Sequence, residues 1–257
     1  MKQCLKNYKA VILAGGKGTR LYPITKEIPK PLLPIRGEPI INYLVDLFFS
    51  QGIKEIAVLI NKKFRDEFFW WKKRYYPRNK IKFFEEEKPL GTFGGLWFLK
   101  KWLLKEPFFL TNGDELKKIN LKKMAKFHQN TKTVGTIALV RVLNPQNYGG
   151  VVCNSHIVKE FLEKPVNPPS SYINSGLYLF SSEIFNYHSG PKFLMIEKDI
   201  FPALAKEKKL AGFKFRGKWL DCGTWERYAD AQKKWSNRKT PKKISPTQVF
   251  IQSRISS

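Results

Sequence analysis

The sequence is poor in the side chains that most often carry thiol and acid–base chemistry. Its 257 residues include three cysteines and three histidines. Cys4, Cys153 and Cys222 are far apart, odd in number and without the spacing of a metal site, so the sequence predicts neither a disulfide framework nor a cysteine-bound metal. Reduced thiols of this kind are typical of a cytoplasmic protein. None of the histidines belongs to a recognisable motif.

Long apolar runs are also missing. The lysines near the N-terminus precede an apolar run at residues 10–13, which glycines then interrupt, so the run is far shorter than the core of a signal peptide. No later run approaches the roughly 20 apolar residues that a membrane-spanning helix needs. We therefore expect a cytoplasmic protein with no membrane insertion.

Acidic residues are scarce compared with basic ones. The chain has 47 Lys and Arg against 21 Asp and Glu, a formal net charge of +26. A field of this sign attracts anions, including nucleotides and nucleic acid. The lysines are spread along the whole chain, which favours a lysine-rich composition over a nucleic-acid-binding surface. The end of the chain lacks acids altogether, and residues 236–257 are predicted to form a solvated basic tail.

The strongest motif follows the first apolar run. Residues 10–13 predict a buried strand, and the glycines of residues 15–18 end it with backbone that can turn sharply and approach a ligand closely. Consecutive amides in such a loop can point at one anion. Lys17, Arg20 and Lys30 add three cations, so we interpret this stretch as a triphosphate-binding loop.

Two better-known phosphate loops do not fit these residues. A Walker-type loop needs a glycine followed by Lys-Ser or Lys-Thr that opens into a helix, and the third glycine of a dinucleotide fingerprint would fall on Leu21. Prolines at positions 23, 29, 31 and 34 predict an extended, stiff arm instead of a helix. Lys30, with a proline on each side, is expected to be held on that arm.

The run LAGGKGTRLYPITKEIPKPLLPI, which starts at Leu13, resembles the signature of the sugar-1-phosphate nucleotidylyltransferases, also known as nucleotide-sugar pyrophosphorylases. The resemblance extends over about residues 9–235. It implies a nucleotide-binding loop made of Leu13, Ala14, Gly15, Gly16, Gly18, Thr19 and Arg20.

Two later segments resemble the nucleobase and metal sites of that family. Pro-Leu-Gly-Thr at residues 89–92 resembles the guanylyltransferase form of the base-reading turn, which implies that Gly91 and Thr92 contact the nucleotide. The Asn-Gly-Asp pattern that ends the predicted strand at 108–114 implies nucleotide contacts by Asn112 and Gly113 and a metal ligand at Asp114. In open α/β sheets ligands lie beyond the carboxyl ends of strands, where this aspartate is placed.

The second half of the chain resembles the sugar side of the same site. The implied sugar-phosphate residues are Gly149, Glu163, Lys164, Asn174 and Gly176. Residues 219–225 resemble the second aspartate motif, which implies that Asp221 is also a metal ligand. Trp225 stands where proline is common in the family.

The resemblance implies an enzyme that joins a nucleoside triphosphate to a sugar 1-phosphate and releases pyrophosphate. Mg²⁺ is the implied cofactor, and the implied catalytic residues are Arg20, Lys30, Asp114 and Asp221. GTP with mannose 1-phosphate or a heptose 1-phosphate is favoured. The alternatives are a UTP- or dTTP-dependent glucose-1-phosphate enzyme and a non-catalytic, basic nucleic-acid-binding or regulatory protein on the same fold. A nucleic-acid partner is not expected of the enzyme, and a homo-oligomer is left open.

Apolar runs alternate with amphipathic stretches through the first half of the chain, which predicts a parallel sheet flanked by helices. The resemblance implies the α/β nucleotide-diphospho-sugar transferase fold, with a Rossmann-like, mixed, mostly parallel sheet. Residues 1–235 are predicted to form the catalytic domain, with a nucleotide-binding part at 9–133 and a smaller, β-rich sugar-binding part at 134–235. The predicted helices are residues 39–51, 64–76 and 94–104. The predicted strands are residues 10–13, 55–60, 81–84, 108–114, 136–141, 150–153, 157–163 and 172–180.

Overall fold

The structure is a computed structural model that describes residues 5–236. In chain order, the strands are β1 (Lys9–Ala14), β2 (Pro34–Ile35), β3 (Glu38–Pro39), β4 (Glu55–Asn61), β5 (Lys80–Glu86), β6 (Phe108–Asn112), β7 (Glu115–Lys117), β8 (Gly135–Arg141), β9 (Gly150–Asn154), β10 (Ile157–Leu162), β11 (Tyr172–Phe180), β12 (Leu210–Lys214) and β13 (Trp219–Asp221). The α-helices are α1 (Ile40–Ser50), α2 (Arg65–Tyr75), α3 (Gly91–Gly94), α4 (Lys100–Leu103), α5 (Leu121–Thr131), α6 (Phe201–Lys206) and α7 (Trp225–Lys234).

Nine of these strands form one sheet, in the order β5-β4-β1-β6-β11-β8-β12-β10-β9. Strands β5, β4, β1 and β6 are parallel neighbours, and β11 is inserted antiparallel between β6 and β8. Only β10 and β11 run against the common direction within this sheet. The predicted mixed, mostly parallel α/β fold is confirmed. Both halves of the chain share this sheet, and the predicted division at residue 133 stays a prediction.

The sheet is buried on both faces around its centre. Every residue of β1 and β4 except those at or next to the strand ends is buried, because helices cover both sides of a parallel sheet. On α2, Phe68 and Trp71 face the core, and the Trp71 Nε1–H donates to Asn42 Oδ1 at 2.7 Å. Phe69 and Trp70, on the outer side, are about half exposed. Phe68 and Trp71 of the helix predicted at residues 64–76 therefore belong to its core-packing face.

Two predicted elements differ from those observed. The helix predicted at residues 94–104 begins earlier, at Gly91, and is interrupted by a 3-10 helix at Gly95–Leu99. Backbone N–H groups of Phe93 and Gly94 donate to the carbonyl of Leu194, and a Cβ on Gly94 would lie 2.1 Å from the carbonyl oxygen of Lys192. A distant segment therefore sets this helix, which local periodicity cannot show.

The proline-rich arm is not extended, so that prediction is wrong. It consists of three 3-10 turns at Thr19–Leu21, Ile24–Lys26 and Lys30–Leu32. Proline fixes φ near −65°, which also fits the first turn of a 3-10 helix, and Pro31 occupies such a position. The prolines exclude a long α-helix here, as expected, but they do not enforce extension.

Within residues 5–236, none of the helices has both the length and the apolar character needed to cross a bilayer. Cys153 and Cys222 are free thiols. Cys4 lies outside the described residues, as does the predicted basic tail at 236–257 apart from Ser236.

A buried histidine should make the stability of the fold depend on pH. His128 lies on α5, where Nδ1 is 2.8 Å from Thr136 Oγ1, and burial lowers its pKa from 6.5 to about 4. The unfolded chain therefore binds more protons than the folded one below pH 6.5. The free energy of unfolding should fall by ~3 kcal/mol as the pH drops from 6.5 towards 4.

Urea unfolding at pH 7.5, 6.5 and 5.5 measures this dependence. His128→Gln, which does not titrate, should flatten it, whereas the same change at the exposed His156 should not. Equal pH slopes for the wild type and His128→Gln would contradict the assignment.

Candidate active site

The glycine loop of residues 15–18 leaves the carboxyl end of β1, which lies between β4 and β6 in the sheet. Gly18 has a φ of +64°, which favours glycine, and a Cβ there would lie 3.1 Å from the side chain of Thr25. The Thr25 hydroxyl donates to the carbonyl of Gly18 at 2.8 Å and fixes the loop. Leu13 and Ala14, the other predicted nucleotide contacts of this segment, are the last two residues of β1.

The exposed side of the loop carries positive charge. Lys17, Thr19 and Arg20 are exposed, and Arg20 lies in the first 3-10 turn, directly beyond the glycines. Within residues 5–236 the Arg20 guanidinium forms no ion pair, so all its donors are available to an anion. A planar guanidinium can bind two phosphate oxygens at once.

The end of β6 packs directly against this loop. The Gly113 N–H donates to the carbonyl of Leu13 at 2.9 Å. A Cβ on Gly113 would lie 2.5 Å from that carbonyl oxygen and 3.1 Å from Pro31. Glycine is required because three segments, β1, β6 and the third 3-10 turn, meet at this point. Asn112 and Asp114 are therefore held beside the glycine loop.

Lys30 and Asp114 form an ion pair at this junction. Only 8% of the Lys30 side chain and 29% of the Asp114 side chain is exposed. Burial alone would raise the pKa of Asp114, but the charges of Lys30 and Lys117 and the Lys30 hydrogen bond outweigh it and hold that pKa below its usual value. Asp114 is therefore ionised at neutral pH. The lysine expected on the arm is directed at the predicted metal ligand.

The second predicted metal ligand is next to the first. Strand β13 pairs antiparallel with β7, which places Asp221 opposite Glu115, and the Cys222 N–H donates to the carbonyl of Asp114 at 3.1 Å. Asp221 forms an ion pair of 2.5 Å with Arg227. Thus Asp114 and Asp221, 107 residues apart in sequence, lie at one centre, each with its own cation.

Sequence reasoning missed a third carboxylate at this centre. Glu115 follows Asp114 and is buried, and Oε2 pairs with Lys117 Nζ at 3.0 Å. Burial raises the pKa of Glu115 above its usual value. The charge of Lys117 lowers this pKa, but the nearby charges of Asp114 and Asp221 raise it and oppose that effect. We call the three carboxylates, Asp114, Glu115 and Asp221, together with the cations that pair with them, the acidic centre. Its ion pairs are Lys30–Asp114, Lys117–Glu115 and Arg227–Asp221, and in each pair the positive charge balances the negative one.

The turn predicted to read the nucleobase is hydrogen-bonded to a segment that is distant in sequence, residues 194–197. Gly91 has a φ of +79°, and a Cβ there would lie 2.4 Å from the carbonyl oxygen of Leu194. The Thr92 hydroxyl donates to Glu197 Oε2 at 2.7 Å and accepts from the Ile196 N–H at 2.8 Å. That hydroxyl is therefore engaged within the protein, and the backbone of the turn remains as its contribution to a ligand.

A buried carboxylate, Glu86, lies between this turn and the glycine loop. It ends β5, and Oε1 accepts from the Leu90 N–H at 3.2 Å. A Cβ on Gly15 would lie 2.6 Å from Oε2, and a Cβ on Gly95 would lie 2.4 Å from Oε1. Burial raises the pKa of this carboxyl. Sequence reasoning gave Glu86 no role because it stands among three successive glutamates.

The structure brings together most of the predicted sugar-phosphate residues. The Asn174 N–H donates to the carbonyl of Gly149 at 2.9 Å, and a Cβ on Gly149 would lie 3.3 Å from Glu163 Oε2. The Asn174 side chain accepts from the Gly176 N–H and donates to the Tyr178 hydroxyl, both at 2.9 Å. The Lys164 side chain is half exposed, and its Nζ lies 3.5 Å from Glu163 Oε1.

The acidic centre suits Mg²⁺ if substrates complete the coordination. Within residues 5–236, no group of three or more His, Cys, Asp or Glu side chains is arranged to hold a metal ion. Mg²⁺ is commonly held by one or two carboxylates together with phosphate oxygens and water. Asp114 and Asp221 are two such carboxylates, and the glycine loop beside them exposes the cations Lys17 and Arg20.

The sheet topology and this site define an α/β protein with the nucleotide-diphospho-sugar transferase fold. A family model described as "Nucleotidyl transferase" matches residues 9–238. The chain belongs to this nucleotidyl transferase family, and the resemblance seen in the sequence is confirmed.

Curated relatives and solved structures agree with this assignment. The chain is 34% identical over 223 residues to a mannose-1-phosphate guanyltransferase of Schizosaccharomyces pombe, a match that covers 84% of this chain and 61% of that protein. The chain is also 34% identical to the mannose-1-phosphate guanylyltransferase catalytic subunit beta of Xenopus tropicalis, and this match again covers 84% of this chain and 61% of that protein. The chain thus spans about three-fifths of the length of these relatives.

Among solved structures, a putative glucose-1-phosphate thymidylyltransferase from Bacillus anthracis has a TM-score of 0.80 at 26% identity, over 90% of this chain and 98% of that one. HddC from Yersinia pseudotuberculosis, complexed with GMP-PN, has a TM-score of 0.76 at 28% identity, over 89% of this chain and 100% of that one.

Proposed function

We propose that the protein transfers a nucleotidyl group from GTP to a sugar 1-phosphate, with mannose 1-phosphate or a heptose 1-phosphate as acceptor. The observation that carries this proposal is the acidic centre: Asp114 and Asp221 lie together beside the glycine loop, and each is paired with a cation. The guanyltransferase relatives favour a guanine nucleotide and mannose 1-phosphate.

The reaction requires two anions to meet. An oxygen of the sugar phosphate attacks the α-phosphorus, a new P–O bond forms, and the bond to the β-phosphate breaks to release pyrophosphate. The attacking oxygen is already ionised, so no general base is needed, in keeping with the absence of histidine from every predicted site motif. Positioning and charge stabilisation are the main demands on the protein.

Different residues of the site would stabilise different phosphate groups. Arg20 and the amides of the glycine loop would hold the β- and γ-phosphates of the leaving pyrophosphate. Lys30, which lies beside Asp114, would stabilise charge on the transferred phosphoryl group, and Lys164 would contact the sugar phosphate. Each charge-assisted contact could contribute about 2 to 4 kcal/mol in the transition state.

Asp114 and Asp221 would hold Mg²⁺. When bound, the ion would neutralise charge on the phosphate oxygens and orient them. Lys30 and Arg227, which pair with these carboxylates, would also supply positive charge for the phosphates of the two substrates.

The preference for GTP rests on Glu86. Guanine presents two adjacent donors, N1–H and the N2 amino group, which match the two oxygens of a carboxylate. Uracil and thymine present one N–H between two carbonyl oxygens, which a carboxylate repels. Glu86 Oε1 accepts one hydrogen bond, from the Leu90 N–H, and Oε2 faces the glycine loop. A base seated between that loop and the Gly91 turn would meet this group.

Incubation with Mg²⁺, four nucleoside triphosphates and a panel of sugar 1-phosphates tests the proposal. We expect a GDP-sugar and pyrophosphate, identified by mass, with GTP the best donor. Faster product formation from UTP or dTTP with glucose 1-phosphate would favour the alternative enzyme. No pyrophosphate release from any pair, together with salt-dependent DNA binding, would favour the non-catalytic alternative.

Replacing Glu86 with glutamine should weaken base selectivity. The amide retains one acceptor, loses the charge and gains a donor for a pyrimidine carbonyl, so the ratio of kcat/KM for GTP to that for UTP should fall about 10- to 100-fold. The matched control is Glu87→Gln, since Glu87 is 79% exposed and pairs with Lys62 at the surface. An unchanged ratio in Glu86→Gln would remove Glu86 from the base site.

A further inference from the structure

Lys117 has an unusual environment for a lysine. Its side chain is completely buried, and Nζ contacts four acceptors: Thr111 Oγ1 at 2.9 Å, Glu115 Oε2 at 3.0 Å, and the carbonyls of Ser175 at 3.0 Å and Gly176 at 3.2 Å. A buried ammonium group is costly unless it is paired and hydrogen-bonded. Here one carboxylate and three oxygen dipoles satisfy it.

The two carbonyls belong to an irregular part of β11. The pairing of β11 with β8 shifts register between Asn174 and Tyr178, and Gly176 within that interval has a φ of +61°. A register shift removes ladder hydrogen bonds from the strand. Lys117, with the Thr111 hydroxyl that also donates to Gly176, supplies partners for the carbonyls in this interval.

The irregular segment is the one that carries the sugar side of the site. The Gly176 N–H donates to Asn174 Oδ1, so the position of Gly176 sets the orientation of the Asn174 amide. Trp219 Nε1–H donates to Glu115 Oε2 at 3.1 Å and lies 3.2 Å from the carbonyl of Ser175, and its ring packs on Tyr148, which precedes Gly149. Contacts of the Lys117–Glu115 pair therefore reach the sugar segments from two directions.

We propose that Lys117 is a positioning residue: its ammonium group ties the Asn174–Gly176 segment to the acidic centre and so holds the sugar-phosphate subsite at the distance that transfer requires. This inference rests on the proposed function. Lys117 contacts neither substrate. It acts through the backbone of β11 and through Glu115, which neighbours Asp114 in sequence and Asp221 across the ladder. The Lys117 side chain is fully buried, whereas the Arg227 side chain is 24% exposed.

Kinetics of Lys117→Met and of Glu115→Met/Lys117→Met test the proposal. The double variant removes both charges together, which a buried pair tolerates better than the loss of one partner. We expect KM for mannose 1-phosphate to rise about tenfold or more, while the Kd for GTP, measured by calorimetry, changes by less than about threefold. Lys118→Met, at the exposed neighbour, is the matched control and should behave as the wild type.

Hydrogen exchange gives a second measurement that does not need turnover. Amides of residues 174–176 should exchange about tenfold faster in both Lys117 variants than in Lys118→Met, while those of β1 keep their protection. Folded variants with unchanged KM and unchanged exchange would overturn the proposal, as would an equal loss of GTP and mannose 1-phosphate binding. If the wild type turns over no sugar 1-phosphate, the proposed function fails, and the exchange rates still decide whether Lys117 holds this segment.

Discussion

Replacing Asp114 with asparagine is expected to lower kcat by roughly 10³-fold while the fold is retained. Asparagine keeps the shape of the side chain but removes the charge that pairs with Lys30 and would bind Mg²⁺. Pyrophosphate release with GTP and mannose 1-phosphate measures the loss, and circular dichroism with thermal melting checks the fold. Asp221→Asn should have a similar effect.

Asp230→Asn is the matched control for both aspartates. Asp230 also pairs with a lysine, Lys234 at 2.9 Å, but on the exposed face of α7. Its replacement should leave turnover unchanged. Near-normal turnover by folded Asp114→Asn or Asp221→Asn would contradict the metal assignment.

Replacing Lys30 with alanine should lower turnover by about 10²-fold or more. Lys30 is buried beside Asp114 and is held by the 3-10 turn that contains Pro31, so its charge has a fixed position at the site. The matched control is Lys62→Ala, because Lys62 also pairs with a carboxylate, at 2.8 Å, but is 56% exposed. Assays at saturating Mg²⁺ and both substrates measure kcat.

Loss of stability must be separated from loss of catalysis in this variant. Lys30→Ala leaves Asp114 without its cation, and removing one partner of a buried pair destabilises a fold. The double variant Lys30→Ala/Asp114→Asn should recover thermal stability without recovering turnover. A loss of less than tenfold in folded Lys30→Ala would remove Lys30 from the catalytic set.

Local pattern was enough to predict the first half of the sheet. Strands β1, β4 and β6 are short apolar runs, and α1 and α2 begin and end within one residue of the predicted helices because their periodicity is a local signal. The interrupted helix after Gly91 was not predictable in this way, since Leu194 and Lys192 from a distant segment determine it.

The same distinction separates the predicted site residues from the missed ones. Asp114 and Asp221 stand in recognisable motifs, whereas Glu115 and Lys117 are part of a short charged stretch with no pattern of its own. Their significance depends on Trp219 and on the irregularity of β11, which come much later in the sequence. Glu86 was hidden similarly, because only the folded chain shows which of three adjacent glutamates is buried.

The insertion of β11 beside β6 also has a consequence for synthesis. As the chain leaves the ribosome, β1, β4, β5 and β6 can associate early, but one edge of β6 has no neighbour until residues 172–180 have emerged. An apolar strand with an open edge is a site for chaperone binding or for aggregation. Slow translation between β6 and β11 would therefore reduce the yield of native protein.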